Sequence, residues 1–256
     1  MPTILLTNDD GVDDPGLFTL KQALDQIGDV IVMAPERNRS AASHAITMHK
    51  PMRIRQVSLD DGTLAYACSG NPADCVKLAA GGVLDIQPDL VVSGINSGHN
   101  MGIDVYYSGT VACAREAVIN GIPALAVSSV YRTSPPIAME QIWETTTELT
   151  IQVAKGVLQR GLPAETLLNL NVPGLPLPDL KGLRITRLGR RSYMQDPVER
   201  TDPYGRTYYW TSGGPPIDQP DEMTDVGAVA QGYASLTPIA LDATNRKMLD
   251  PLENWF

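Results

Sequence analysis

Two adjacent carboxylates, Asp9 and Asp10, follow a short apolar run and precede Gly11. Such neighbours repel each other unless a cation or hydrogen bonds compensate them. Successive side chains on an extended strand point to opposite faces, so both reach one ion only if the chain leaves the strand here. Gly11 permits that turn. The same residues equally suit an Asx turn or a cap for a following helix, and taken alone they favour that plainer use.

A second polar loop, Glu36-Arg37-Asn38-Arg39-Ser40-Ala41-Ala42-Ser43-His44, offers a neutral oxygen at Ser40. It also offers guanidinium groups at Arg37 and Arg39 that suit a phosphate. Ordinary loop chemistry accounts for each of these residues as well. The third stretch, Ser93-Gly94-Ile95-Asn96-Ser97-Gly98-His99-Asn100-Met101-Gly102, is the most informative. Its glycines stand four apart, which excludes the dinucleotide fingerprint G-x-G-x-x-G, and no G-x-x-x-x-G-K-[ST] occurs. It leads into Tyr107-Ser108-Gly109-Thr110 at the start of a helical pattern. Free N–H groups, two hydroxyls and the positive end of a helix dipole suit a phosphate there. A cap without ligand is the alternative, and the long Gly- and Asn-rich approach favours the ligand.

Other schemes lack their signatures. There is no G-x-S-x-G elbow for an α/β-hydrolase. The histidines, His44, His49 and His99, have no H-E-x-x-H spacing. The candidate ligands are oxygens, which suits Mg²⁺, Mn²⁺ or Ca²⁺ better than zinc.

The elements that must position these loops follow from periodicity. Thr3 to Leu6 reads as a buried strand, Leu17, Leu20, Leu24 and Ile27 as a helix, and Val30 to Ala34 as a second strand. Strand, helix, strand is a crossover that makes parallel sheets. The pattern repeats: helix over Pro72 to Ala80, strand over Leu90 to Ser93, helix over Thr110 to Ile119 and strand over Ala124 to Ser128. A long helix over Ile137 to Gln159 and a strand over Leu167 to Val172 follow, then a helix over Asp225 to Gln231 and a strand over Tyr233 to Ile239. The expectation is a single α/β domain over residues 1–256, Rossmann-like and three-layered, with a mostly parallel sheet. Residues 190–220 break the pattern, rich in Gly, Pro, Arg, Asp and Tyr. A hairpin is expected over Thr201 to Trp210, turning at Pro203-Tyr204-Gly205. With no core of its own, it reads either as an oligomerisation arm or as a surface loop.

Net charge is −9, which argues against a nucleic-acid-gripping surface. No apolar run reaches the roughly 18 residues of a membrane helix, and the first residues already read as a strand rather than a leader. Cys68, Cys75 and Cys113 form no CxxC or zinc-type cluster, so a cytoplasmic protein is expected.

Four of these segments in order resemble the SurE (survival protein E) family: Ile4 to Gly11, Ala34 to Ser40, Ser93 to Gly102, and Tyr107 to Val111. Gly70-Asn71-Pro72-Ala73-Asp74-Cys75-Val76 is also similar to a family segment. The likeness runs from residue 3 to about 130, and more loosely to about 240. It implies a metal-dependent phosphatase acting on nucleoside monophosphates at the 5′ or 3′ position, and on short polyphosphate in some members. It implies one divalent cation per subunit, Mg²⁺ or Mn²⁺ with Ca²⁺ as an alternative, held by Asp9, Asp10, Ser40 and Asn96. Ser108, Gly109 and Thr110 would hold the phosphate, with Asn100 nearby. A homodimer or homotetramer is implied, joined through the hairpin arm and an exchanged C-terminal segment, residues 240–256. The sequence departs from the family at Asn71, often Thr or Ser, and at Ile103, often acidic, while Asp104 is retained.

The resulting expectation is a cation at Asp9 and Asp10 with a water attacking phosphorus in line, Asp10 taking its proton. An aspartyl-phosphate route is the competing mechanism. A nonenzymatic nucleotide- or phosphate-binding regulator is the rival function, since it needs the helix start but not the carboxylate pair.

Overall fold

A computed structural model describes all residues except 131–135, 194–196, 212–215, 220 and 256. The apolar run at the start forms β1 (Thr3–Thr7), and α1 (Pro15–Leu24) returns the chain to β2 (Asp29–Pro35). Then come β3 (Ile54–Ser58), β4 (Leu64–Cys68), α2 (Pro72–Ala80), β5 (Leu90–Ser97), a 3₁₀ turn (Gly102–Tyr106) and α3 (Gly109–Ile119). The chain continues through β6 (Ala124–Ser129), α4 (Met139–Arg160), β7 (Thr166–Val172) and β8 (Leu183–Ile185). The excursion comprises β9 (Arg190–Ser192), β10 (Val198–Thr201), β11 (Thr207–Trp210) and β12 (Ile217–Gln219). It is followed by α5 (Asp225–Ala230), β13 (Ala234–Ala240) and α6 (Leu249–Glu253).

Nine strands form one sheet in the order β3-β4-β2-β1-β5-β6-β7-β13-β8. From β4 to β7 all pairs are parallel, while β3 and β13 run antiparallel to β4 and β7. The alternation along β1 sorts its side chains. Ile4 and Leu6 join a core with Leu17, Leu20, Leu149 and Val153 of α1 and α4. Leu5 faces the opposite core, with Val76 and Val111 of α2 and α3. Helix, sheet and helix therefore make three layers, as expected from the crossover pattern.

Three features differ from the sequence reading. β3 and β4 form an unforeseen pair at the sheet edge. The third polar stretch is not all loop, because β5 continues to Ser97 past a register shift between Ser93 and Asn96. At Gly94, φ is +146°, and a Cβ would stand 2.4 Å from the Val127 carbonyl oxygen. The irregular excursion is two ribbons, β9–β12 and β10–β11. Its expected turn is present, with Gly205 N–H donating to the Asp202 carbonyl.

β1 has β2 on one side and β5 on the other, so the crossovers diverge from it. In open α/β sheets the crevice at the carboxyl ends of such strands is where ligands bind. All three polar stretches leave the sheet at that end.

Candidate active site

Asn8 holds the turn after β1: its amide donates to the Gly11 carbonyl and accepts from Gly11 N–H, both at 3.0 Å. Asp14, not Asp9 or Asp10, caps α1, accepting from Gly16 and Leu17 N–H. The plainer use of the Asp-Asp-Gly turn is thus discharged by two other residues. Gly11, with φ +113°, lets the backbone lie against Arg37.

Asp9 and Asp10 instead reach across to other loops. Asp9 is 3% exposed and accepts a 2.6 Å hydrogen bond from the Thr110 hydroxyl. Gly109 N–H also donates to it. Burial pushes the Asp9 carboxyl up to about 6; the Thr110 hydroxyl opposes the rise and the Asp10 charge adds to it. Asp10 Oδ1 accepts from Asn38 Nδ2 at 2.9 Å and the Ser40 hydroxyl at 3.4 Å. Its Oδ2 accepts from Ser97 N–H at 3.5 Å. Burial raises the Asp10 pKa as well, against these three donors. Asp14 is raised by burial and then by Asp10, so one small region concentrates negative charge.

The helix start is built against Asp9. Ser108 caps α3, its hydroxyl accepting from Val111 N–H at 3.0 Å. A Cβ on Gly109 would stand 2.7 Å from Asp9 Cβ and 2.8 Å from Oδ2. Only glycine allows the helix to approach the carboxylate this closely. The expected phosphate contacts Ser108, Gly109 and Thr110 therefore sit directly beside the expected cation ligand Asp9.

Asn96 is next to Ser97, whose N–H meets Asp10; its amide nitrogen donates to the Gly98 carbonyl at 2.7 Å. Asn100 is placed differently. Its side chain donates to the Ser128 hydroxyl at 2.8 Å, and its backbone carbonyl accepts from Asn169 and Asn171. Among the described residues no hydrogen bond joins it to either aspartate or to α3. Arg39 points to the Ser69 carbonyl at 3.3 Å.

Several positioning residues carried little local signal. Asn169 and Asn171 interrupt an apolar strand, the one visible clue. His99 donates from Nε2 to the Val172 carbonyl at 2.8 Å, and burial pushes its pKa down to about 4. Asp225 accepts from Gly102 N–H at 2.9 Å and Gly189 N–H at 2.7 Å, tying the 3₁₀ turn to the root of β9. Arg191 forks onto Asp218 at 2.7 and 2.9 Å and reaches Asp104 at 2.7 Å.

The model of the family described as "Survival protein SurE" matches residues 4–195. The chain belongs to the SurE family. This SurE chain is 46% identical over 252 residues to a 5′-nucleotidase SurE of Chloroflexus aggregans, covering 98% of each. It is 50% identical over 243 residues to that of Moorella thermoacetica, covering 94% of this chain and 91% of the relative. The crystal structure of the SurE protein from Aquifex aeolicus superposes with a TM-score of 0.81 at 39% identity, covering 99% of each chain.

The donor chemistry of the SurE site suits a hard cation. Among the described residues no three His, Cys, Asp or Glu side chains gather as a metal site. A cation here would draw on neutral Ser40 and Asn96 oxygens beside two carboxylates, an all-oxygen set. Burial disfavours the charged forms of Asp9 and Asp10, a cost that such an ion would offset.

Proposed function

We propose that this chain is a divalent-cation-dependent phosphohydrolase, a 5′-nucleotidase that releases phosphate from nucleoside 5′-monophosphates. Its range extends to 3′-monophosphates and short polyphosphate. One observation carries the reading. The buried Asp9 stands against the amino end of α3, and the half-buried Asp10 beside it meets the other two polar loops, while Asn8 and Asp14 do the local turn and cap work. The names of the curated relatives support the nucleotide substrate.

Asp9, Asp10, Ser40 and Asn96 would hold one Mg²⁺ or Mn²⁺ per subunit. When bound, such an ion neutralises phosphoryl charge and lowers the pKa of water. Thr110 and Gly109 orient Asp9. Ser108 to Thr110 present the positive end of α3 to the phosphoryl oxygens, where charge builds as the ester bond breaks. Water attacks phosphorus in line, Asp10 accepts its proton, and the nucleoside oxygen leaves with the bonding electron pair and takes a proton from solvent. Asn100 acts from behind this surface by fixing the loop.

The test is phosphate release from a panel of nucleoside monophosphates with and without EDTA. Metal-dependent release is expected; no release from any of them would favour a phosphate-binding regulator. A trapped phosphoryl-aspartate would replace direct water attack with a covalent route.

The protein is further proposed to be a cytoplasmic single-domain chain working as a dimer or tetramer. Among the described residues no helix is long and apolar enough to cross a membrane. The arm, residues 190–220, leaves Tyr208, Tyr209 and Trp210 exposed, and the end of the chain leaves Leu249, Leu252 and Trp255 exposed. Both are the surfaces through which subunits would join and exchange their C-terminal segments.

A further inference from the structure

The segment 36–53, between β2 and β3, runs as turns and irregular chain, and Ser40 lies exposed within it. A connection of this length commonly serves a function, and bonds to the rest of the molecule must hold it. The part before Ser40 is tied to the turn after β1. Arg39 N–H donates to the Asp9 carbonyl at 2.7 Å, and Asn38 Nδ2 donates to Asp10. Ser40 N–H in turn donates to the Asn38 side-chain oxygen at 2.9 Å.

The part after Ser40 is tied to the 3₁₀ turn and to α3. Ser43 N–H donates to the Tyr107 carbonyl at 2.9 Å, and the Ser43 hydroxyl donates to the Tyr106 carbonyl at 2.6 Å. His44 Nε2 then meets Glu116 Oε2 of α3 at 2.9 Å. A carboxylate only accepts, so the imidazole donates. The Glu116 side chain is 6% exposed, and its other oxygen accepts from Asn120 Nδ2 at 3.2 Å and faces Lys77 Nζ of α2 at 3.6 Å. Between the two anchorages Ala41 and Ser43 have φ of +58° and +54°. L side chains rarely adopt that backbone, and it persists where the surrounding bonds over-determine it.

One helix thereby serves two parts of the site. α3 starts beside Asp9, and Glu116 lies six residues beyond Thr110 on it, about 9 Å along the axis. Through His44 the same helix holds the loop that brings the Ser40 hydroxyl to 3.4 Å from Asp10 Oδ1. We propose that His44, clamped by Glu116, is a positioning residue that holds the Ser40 oxygen in the cation site and fixes it relative to the start of α3. This rests on the cation reading above. His44 acts through Ser40 and itself contacts neither cation nor phosphate.

The experiment measures Mn²⁺ affinity in metal-stripped protein, from the electron paramagnetic resonance signal of the free ion. The proteins are wild type, His44→Ala, His44→Gln, Ser40→Ala and the double variant Ser40→Ala with His44→Ala. His44→Ala is expected to weaken binding about tenfold, the scale of losing a bond that orients a ligand. His44→Gln, whose amide can donate to Glu116, should recover most of that loss. In the Ser40→Ala background, His44→Ala should cost nothing further, because the group it positions is gone. Wild-type affinity in His44→Ala overturns the proposal. So does a loss that adds in full to that of Ser40→Ala, which would mark a general loosening of the loop, or a His44→Gln variant no better than His44→Ala. Should His44→Ala fail to fold, His44→Asn, which shortens the reach to Glu116, takes its place under the same expectations. If wild type itself binds no Mn²⁺, the cation reading fails and this proposal falls with it, whereas the outcomes among the variants overturn the proposal alone.

Discussion

The strand-end loops and the projecting ribbons of the same chain are held by opposite means. Asp9 meets Thr110 across 101 residues of sequence, and Asp10 meets Ser97 across 87, each bond made possible by strands already in register. In β10–β11 every residue is exposed, and the turn is held by local bonds from Gly205, Tyr204 and Arg206 to Asp202. The loops derive their geometry from the sheet. The ribbon derives its geometry from a turn, and among the described residues its long-range side-chain bonds lie near its root, where Arg191 and Asp225 engage the 3₁₀ turn. Placement is therefore expensive to disturb in one region and cheap in the other.

The sharpest way to break this contrast is at Asp9. Asp9→Asn should lower metal-dependent phosphate release by more than about 100-fold, beyond what loss of an outer hydrogen-bond partner costs. The far-ultraviolet spectrum should be unchanged. Near-normal turnover at saturating Mg²⁺ or Mn²⁺ would take Asp9 out of the site. Gly109→Ala tests the close approach of α3, since the new methyl must displace Asp9 or the helix. We expect a drop of about 10- to 100-fold in kcat, the scale of a displaced catalytic geometry, with the thermal midpoint lowered by several degrees, the scale of an overpacked buried contact.

Thr110→Val removes a donor that holds the Asp9 pKa down. In EDTA the Asp9 carboxyl of the variant should titrate at higher pH than that of wild type, as read by NMR; an unshifted titration would take the Thr110 hydroxyl out of the control of Asp9.

Stability gives a smaller signal. The Asp9 pKa is raised in the folded state, to about 6 from 3.8, so between these values the folded chain binds more protons than the unfolded one. Its contribution is therefore full below pH 3.8 and declines as pH rises to about 6, by a few kcal/mol at most. In EDTA, the stability of wild type relative to Asp9→Asn should fall over that window, as read by denaturant unfolding. The smallest effect is expected in the arm. Tyr209→Ser with Trp210→Ser should change the stability of the subunit by no more than about 0.5 kcal/mol per site. It should nevertheless weaken self-association in sedimentation; unchanged association would remove the arm from the contact.

The same contrast explains what could be read in advance. β1, β2 and β6 are apolar runs bounded by polar turns, and Asn120-Gly121 with Pro123 marks the end of α3, so their types followed from local pattern. β3 is a half-buried edge strand whose residues, Ile54–Ser58, include Arg55, Gln56 and Ser58, leaving no continuous apolar run to find. The last residues of β5 looked like loop because the register shift there depends on β6. Asp9, Asp10, Ser40 and Ser108 to Thr110 were visible by residue type. That Asn8 and Asp14 release the aspartates from local duty, or that Asn100 turns toward Ser128, depends on side-chain directions that spacing does not encode. The Arg191 bridge joins residues 87 apart and left no local trace.

Asp225 also sets an order on manufacture. The aspartates, the β5 extension and the start of α3 all lie within the first 110 residues to be synthesised, and the parallel core is complete by Val172. The 3₁₀ turn that precedes α3 nevertheless waits for a carboxylate 123 positions later in the chain than Gly102. At about 5–20 residues per second, roughly 6–25 s separate the two on the ribosome. A nascent or truncated chain can therefore own every proposed ligand and still lack the bonds that Asp225 gives the 3₁₀ turn, which is secured late, by the far end of the polypeptide.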